Sequence, residues 1–506
     1  MRETMLTRLA VLLTVVPVAA HAFCGFYVAG GGAQLFNDAT QVVLMREGTR
    51  TVLSMQNNYR GPPENFAMVV PVPVILAEAN VKTLTKNIFD KVDQLAAPRL
   101  VEYWEQDPCY QPRDFYVEAR SRREMPTKSA PMADAAAPRD YGVTIEAKFT
   151  VGEYEIVILG AKDALGLEAW LTDNKYKIPS GAAQLFRPYI QQGMKFFVAR
   201  VNVEKVAFKD GVASLSPLRF HYDSEKFELP IRLGLINAAG PQDLIIHVLA
   251  RNQRYEVANY PNVTIPTNID LVPSAKSEFG PFYASLFDKT LKKHPKAVVT
   301  EYAWDSATCD PCPTPPLTPT DLMVLGLDVI DNAGPLPEIE FKNRDKVTPQ
   351  EAALVDRMLS SLDQQIAYQR SAGKGARFVI TRLHARYDKT SLGEDLVFKA
   401  ATPIAGGREF LRDGKELEQG SVSYGVNNFQ ARYAIRYPWG GEVKCSNPVY
   451  GRWGGPPNGG QHKPLAAEDL GLVKRDDALT AKLAESPISE LDIKGRKARA
   501  GIAVKK

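Results

Sequence analysis

KFFVARVN (195–202) and RFVITRLH (377–384) follow one pattern residue for residue: cation, Phe, apolar, apolar, small, Arg, apolar, polar. Both alternate and are rich in β-branched and aromatic side chains, which is strand composition. Arg200 and Arg382 fall in register. The likeness continues outward in both directions. Upstream of the second copy, TPQEAALVDRMLSSL (348–362) reads as a helix. Thr348 is its N-cap, Pro349 its first residue, and Glu351 closes a capping box. Leu354, Met358, Leu362 and Ile366 then form an apolar stripe. The first copy, IPSGAAQLFRPYIQQG (178–193), is weaker, because Pro188 is expected to kink or break it. Further upstream YEIVILGAKD (154–163) resembles TDLMVLGLD (320–328). Further still, IFDKVDQLAAPRLVEYWEQDPC (88–109) resembles LFDKTLKKHPKAVVTEYAWDSATCDPC (286–312), and downstream SPLRF (216–220) answers EDLVF (394–398).

Five pairs in one order point to duplication. The expectation is an α+β chain of two tandem sheet-plus-helix units, 23–209 and 210–390. A C-terminal β and Gly/Trp-rich segment, 391–463, would pack on them, and 464–506 would be a polar tail with a basic end. SRREMPTKSAPMADAAAPRD (121–140) lacks an apolar period and reads as a mobile loop, and CPTPPLTP (312–319) as a stiff connector. The two follow equivalent DPC corners.

The N-terminus reads as an export signal over residues 1–22. Arg2 and Arg8 precede the apolar run LAVLLTVVPVAA (9–20), which is too short for a membrane anchor, and Ala20-His21-Ala22 is a small-x-small cleavage site. The mature chain would begin at Phe23 and work in the periplasm or outside the cell. Lipidation of Cys24 is disfavoured because Phe23, not a small residue, precedes it. No later run is long and apolar enough for a transmembrane anchor. The full chain of 506 residues carries a net charge of +4. Loss of Arg2, Glu3 and Arg8 removes two positive charges and one negative, leaving +3. That near-neutral balance argues against nucleic acid as a main partner.

Several stretches resemble the uncharacterised bacterial family known as domain of unknown function 2330: SPLRFHYDSEKFELPIRLGLI (216–236), FVITRLHARYDKTSLGEDLVFKAATPIAGGRE (378–409), NNFQARYAIRYPW (427–439) and GRWGGPP (451–457). The likeness extends from about Cys24 to Gly455. It implies an exported bacterial protein with a cysteine soon after the signal peptide, and it implies no activity, cofactor or catalytic residue.

The chain holds five cysteines: Cys24, Cys109, Cys309, Cys312 and Cys445. Cys309-Asp-Pro-Cys312 has redox-motif spacing, but a reactive CxxC sits at a helix N-terminus and here the following PTPPLTP cannot start one. A zinc site would need a second ligand pair, and none is at ligand spacing. A disulfide is therefore favoured, either local or to Cys24, Cys109 or Cys445. An odd count leaves one cysteine over. His221, His247, His294, His384 and His462 form no HxH or i, i+4 pair, so no metal site and no cofactor is expected. No G-x-S-x-G elbow occurs. The aromatic-acidic stretches EYW (102–104) and EYAW (301–304) make Tyr103, Trp104, Tyr302 and Trp304 candidates for binding a glycan or other small molecule. Half-buried strand aromatics would look the same, and that reading is preferred. The irregular 438–460 stretch, with Trp439 and Trp453, is a core cap or a binding loop. The functional expectation is a non-enzymatic binding or envelope-associated module whose partner the sequence does not identify. The alternative is an exported hydrolase or thiol-redox enzyme with a site between the units, drawn from Arg382, His384, Asp388 and the DPC cysteines.

Overall fold

The computed structural model describes residues 26–29, 36–60, 66–109 and 142–330, with breaks at 175, 177–180, 207, 210–211, 214 and 237–241. It also describes 353, 377–387, 488–493, and 393–484 with breaks at 408–410, 413–415, 418–422, 424, 460–461 and 468–478. The expected signal peptide, Cys24, the 121–140 loop, Asp388 and all but one residue of the 348–362 helix lie outside the described residues.

The strand Gln242–Arg251 carries the near-continuous apolar run LIIHVLA, as a strand covered on both faces does. It pairs in parallel with Phe36–Glu47 and antiparallel with Phe378–Tyr387. Phe378–Tyr387 pairs in turn with Val298–Asp305. These four strands form the middle of a twelve-stranded sheet. On one face Leu244, Ile246, Val248, Leu383 and Ala385 meet Ile156, Ile158, Phe197 and Ala199 of a second sheet. That sheet has five strands in the order Phe26–Ala29, Phe66–Val72, Lys195–Val201, Tyr154–Ala161, Val143–Val151. Its far face, with Leu159, Phe196 and Val198, is covered by helices Ala164–Asp173 and Ala182–Gln191 through Leu167, Leu171, Phe186 and Tyr189.

The other face of the large sheet is covered by two helices. Lys86–Ala96 buries Ile88, Phe89, Val92, Leu95 and Ala96, a three-and-four spacing that gives one apolar stripe against Leu249, Phe378 and Ile380. Phe279–Lys293 lays Phe282, Leu286 and Phe287 under Val299 and Ala303. The layers therefore run helix, sheet, sheet, helix, each sheet burying both faces. Each large apolar side chain so enclosed contributes about 1.5–3 kcal/mol by area. A smaller sheet adjoins the large one. Its strands run Ile269–Leu271, Arg432–Tyr437, Arg99–Glu105, Trp453–Gly454, with Leu465–Ala466 also paired to Arg99–Glu105.

The chain is α+β, but two equivalent units are not confirmed. Lys195–Val201 lies in the five-stranded sheet, and Phe378–Tyr387 lies in the middle of the twelve-stranded one. The large sheet draws strands from both sides of residue 209. The segments 88–109 and 286–312 do share the order helix, strand, DPC corner. The pairing of 154–163 with 320–328 fails: the first is a strand and the second is helical, from Pro319 to Ile330. The reason lies just upstream. Thr318 caps the helix, its hydroxyl accepting from the Asp321 amide at 3.2 Å, while the Asp321 carboxylate accepts from the Thr318 amide at 2.7 Å. Gly326 interrupts the helix at φ +142°, where an added Cβ would stand 2.8 Å from Val52. Pro188 does not break its helix, which runs through it from Ala182 to Gln191. Burial of Ala182, Ala183, Phe186 and Tyr189 holds that helix despite the lost backbone bond.

Candidate functional site

Arg382, His384 and Arg386 occupy alternate positions of Phe378–Tyr387 and so share one face. On one neighbouring strand, His247 stands opposite Arg382 and Asp243 opposite Arg386. On the other, the register slips between Thr300 and Tyr302, and Glu301 is the extra residue. This bulge brings the Glu301 carboxylate to both basic side chains. Oε2 accepts from Arg382 Nε at 2.6 Å, and Oε1 lies 2.7 Å from His384 Nδ1. Oε1 also accepts from the Tyr283 hydroxyl at 2.6 Å. The Lys86–Ala96 helix supplies Asp93, which accepts from Arg382 Nη1. The Phe279–Lys293 helix supplies Phe287, whose ring stacks on His384 with centroids 3.7 Å apart. Arg386 donates to both oxygens of Asp243, at 2.7 and 2.8 Å, and to Asp288.

Burial opposes charge on His384, but Glu301 and Asp243 overcome it and raise its pKa above the ordinary 6.5. Burial likewise opposes ionisation of Glu301, yet His384 and Arg382 hold it at about 2. Burial, reinforced by Arg382, pushes His247 well below 6.5. Arg382 is 1 % exposed, His384 2 % and Glu301 0 %. The arrangement favours the protonated form of His384 and ties the sheet to both helices. It offers no open face to a substrate. Of the proposed catalytic group, Arg382 and His384 meet through Glu301, and Asp388 lies outside the described residues.

A pocket of about 340 Å³ opens instead beside Arg99–Glu105. Glu102 lies at it, its side chain 4 % exposed. Glu102 Oε2 accepts from Lys276 Nζ at 2.6 Å and lies 2.8 Å from His462 Nε2, while Oε1 accepts from the Tyr437 hydroxyl at 2.7 Å. Burial raises the Glu102 pKa, but the bonds from Lys276 and Tyr437 and the nearby His462 leave it lowered overall. Trp104 stacks on Tyr437 at 5.2 Å and meets His462 edge-on at 5.2 Å. Lys463, Leu100, Pro313 and Leu465 complete the walls that matter here.

The other aromatic candidates are interior. Tyr103 is buried and accepts from Arg432 Nη1 at 3.0 Å, Tyr302 is fully buried, and Trp304 donates to the Thr308 hydroxyl at 3.1 Å. His221 sits half-buried on Leu218–Asp223, 3.1 Å from Asn80 Nδ2, with burial lowering its pKa to about 4.

Two disulfides join Cys309 to Cys312 and Cys109 to Cys445. The Cys309–Cys312 loop turns its carbonyls inward: Pro311 O accepts from Arg99 Nη1 at 2.9 Å and Asp310 O from Gln430 Nε2. Arg99 is fully buried with its guanidinium 5.3 Å from the Tyr302 ring. The 438–460 stretch is anchored by Cys445 and by Glu105, whose two oxygens accept from the Trp439 and Gly451 amides at 2.9 and 2.7 Å. Among the described residues no group of three or more His, Cys, Asp or Glu could hold a metal ion. No helix among them is long and apolar enough to cross a membrane.

Sequence reasoning singled out Arg382 and His384 but not Asp93, Asp243 or Arg386, and at the pocket it passed over Lys276 and Lys463. Alternation along Phe378–Tyr387 was the available signal for Arg386. The partners on other elements carry no local signature.

The layering and the two cross-links define a disulfide-bonded α+β protein with a closed polar interior and an open charged pocket. The chain belongs to a bacterial family, DUF2330, described as an uncharacterized protein conserved in bacteria, whose match covers residues 18–399. The resembling stretches at 427–439 and 451–457 lie beyond that match. No curated protein matches the chain, and no solved structure matches it.

Proposed function

We propose that this protein is an exported, non-enzymatic binding module whose ligand seats in the pocket at Glu102. One contrast carries the reading. One group suited to acid–base chemistry, His384 with Glu301 and Arg382, is enclosed and paired within itself, and the carboxylate of the second, Glu102 beside His462, is already engaged by Lys276 and Tyr437. Charged side chains meet open volume at Glu102, Lys276 and Lys463. The volume is within the range of small-molecule sites. The two disulfides suit an oxidising compartment and so support export. The Cys309–Cys312 pair fits a structural role, because its loop braces Arg99 and Gln430 and no helix starts there.

The test is a thermal-shift screen of the mature, oxidised chain against small acids, amines and glycans. Binding raises stability by about 2.7 kcal/mol at a hundred times Kd. The response should vanish in Leu465→Trp, which fills the mouth of the pocket. Turnover of a screened compound that His384→Gln abolishes would replace this reading with an enzymatic one.

A further inference from the structure

We propose that the Glu102 pocket takes a small organic anion with an apolar body. This rests on the binding reading above and names its ligand class. Glu102 is the only carboxylate among the pocket's described residues, and its two oxygens already face Lys276, His462 and Tyr437. A cationic ligand would have to displace these groups from a side chain that is only 4 % exposed. The lysines are placed differently. An ammonium has three donors, and Lys276, 53 % exposed, gives one of them to Glu102. Lys463 is exposed at the wall, and no described residue forms an ion pair with it. Two lysines against one carboxylate leave a positive excess inside a concave site, where low-dielectric walls concentrate its field.

Apart from Gln94, the remaining walls are apolar. Leu100, Pro313, Pro464, Leu465 and Ala466 line the pocket, and Leu465 keeps 43 % of its surface exposed. They suit a hydrocarbon or aromatic body behind the anionic head. Pro313 follows Cys312 directly, so the Cys309–Cys312 loop, braced by Arg99 and Gln430, fixes one wall before any ligand arrives. Such pre-organisation reduces the entropy lost on binding.

The experiment is calorimetric titration of the oxidised full chain with benzoate, benzamide and benzylamine, which share a ring and differ in charge. Benzoate should bind and the other two should not. Lys463→Ala should weaken benzoate about tenfold, the scale of one charge-assisted contact. Lys463→Arg should restore it, and Leu465→Trp should abolish it. If benzamide or benzylamine binds as well as benzoate and Leu465→Trp abolishes that binding, the anion class is wrong while the binding reading stands. If Lys463→Ala leaves benzoate binding intact, the charge argument is overturned. If none of the three binds and the broader screen is also silent, both proposals fall.

Discussion

At Glu301 one extra residue in a strand creates a carboxylate that serves Arg382, His384 and Tyr283 together. A buried ion pair is not in itself a large source of stability, but removing one member leaves the others charged and unpaired. Glu301→Gln should cost about 3 kcal/mol, read as a shift of the urea midpoint. The same residues predict a pH profile. The raised pKa of His384 means that the folded form holds its proton more tightly. Its contribution is complete below the ordinary 6.5 and disappears as pH climbs through the folded-state value. Glu301 runs the other way: depressed from 4.5 to about 2, it stabilises above 4.5 and loses that contribution as pH falls toward 2. The urea midpoint should fall on both limbs, and both limbs should flatten in Glu301→Gln. A wild-type midpoint that stayed level from neutral pH down to about 2 would contradict the assignment.

Among the elements, the Cys309–Cys312 loop and the 438–460 stretch are held by cross-links of very different span, 3 and 336 residues apart in sequence. Loop-closure entropy grows with span, so losing the short link should cost about 2 kcal/mol and losing the long one about 5 kcal/mol. Melting curves of the Cys309→Ser/Cys312→Ser and Cys109→Ser/Cys445→Ser proteins should therefore rank in that order. Equal shifts would mean that the 438–460 stretch is held chiefly by Glu105. This scale also separates what the sequence discloses from what it conceals. The strands 195–201 and 378–387 were legible from alternation, and the helix–strand–corner order from its repetition. The likeness of 320–328 to the strand at 154–163 misleads because VLGL also fits a strand pattern, although Thr-Pro-Thr-Asp at 318–321 is a capping signature for the helix that forms there. Arg382 and His384 were visible as polar positions on one strand. Asp93, the bulge at Glu301 and the union of Glu102 with Lys276 and His462 were not, since each depends on pairing across distant segments.

Over the whole molecule, the family match ends at residue 399, but the packing does not. Asn428–Gln430 pairs with Val298–Asp305, and Arg432–Tyr437 lies in parallel between Ile269–Leu271 and Arg99–Glu105. Tyr433 and Ile435 are fully buried in the core beneath the Phe279–Lys293 helix. A chain ending at 399 would open that core and expose strand edges on both sides. It should show no cooperative unfolding transition and should aggregate, while a chain ending at 493 should keep the native midpoint. Cooperative unfolding of the shorter chain would show that the matched region folds by itself.

The long cross-link also sets an order in time. A chain that enters an oxidising compartment N-terminus first, as it is made, presents Cys109 long before Cys445. At roughly 5–20 residues per second, the sequence separation of 336 takes roughly 20–70 s to cover. During that interval Cys309 and Cys312 appear, and each could capture the waiting thiol. Their closeness is a safeguard, because two cysteines three residues apart close on each other before either finds a distant partner. Removing one member should defeat it. In Cys309→Ser, non-reducing peptide maps of newly made protein should contain a Cys109–Cys312 bridge, and the yield of native Cys109–Cys445 should drop. A normal yield would mean that pairing waits until the last strands have docked.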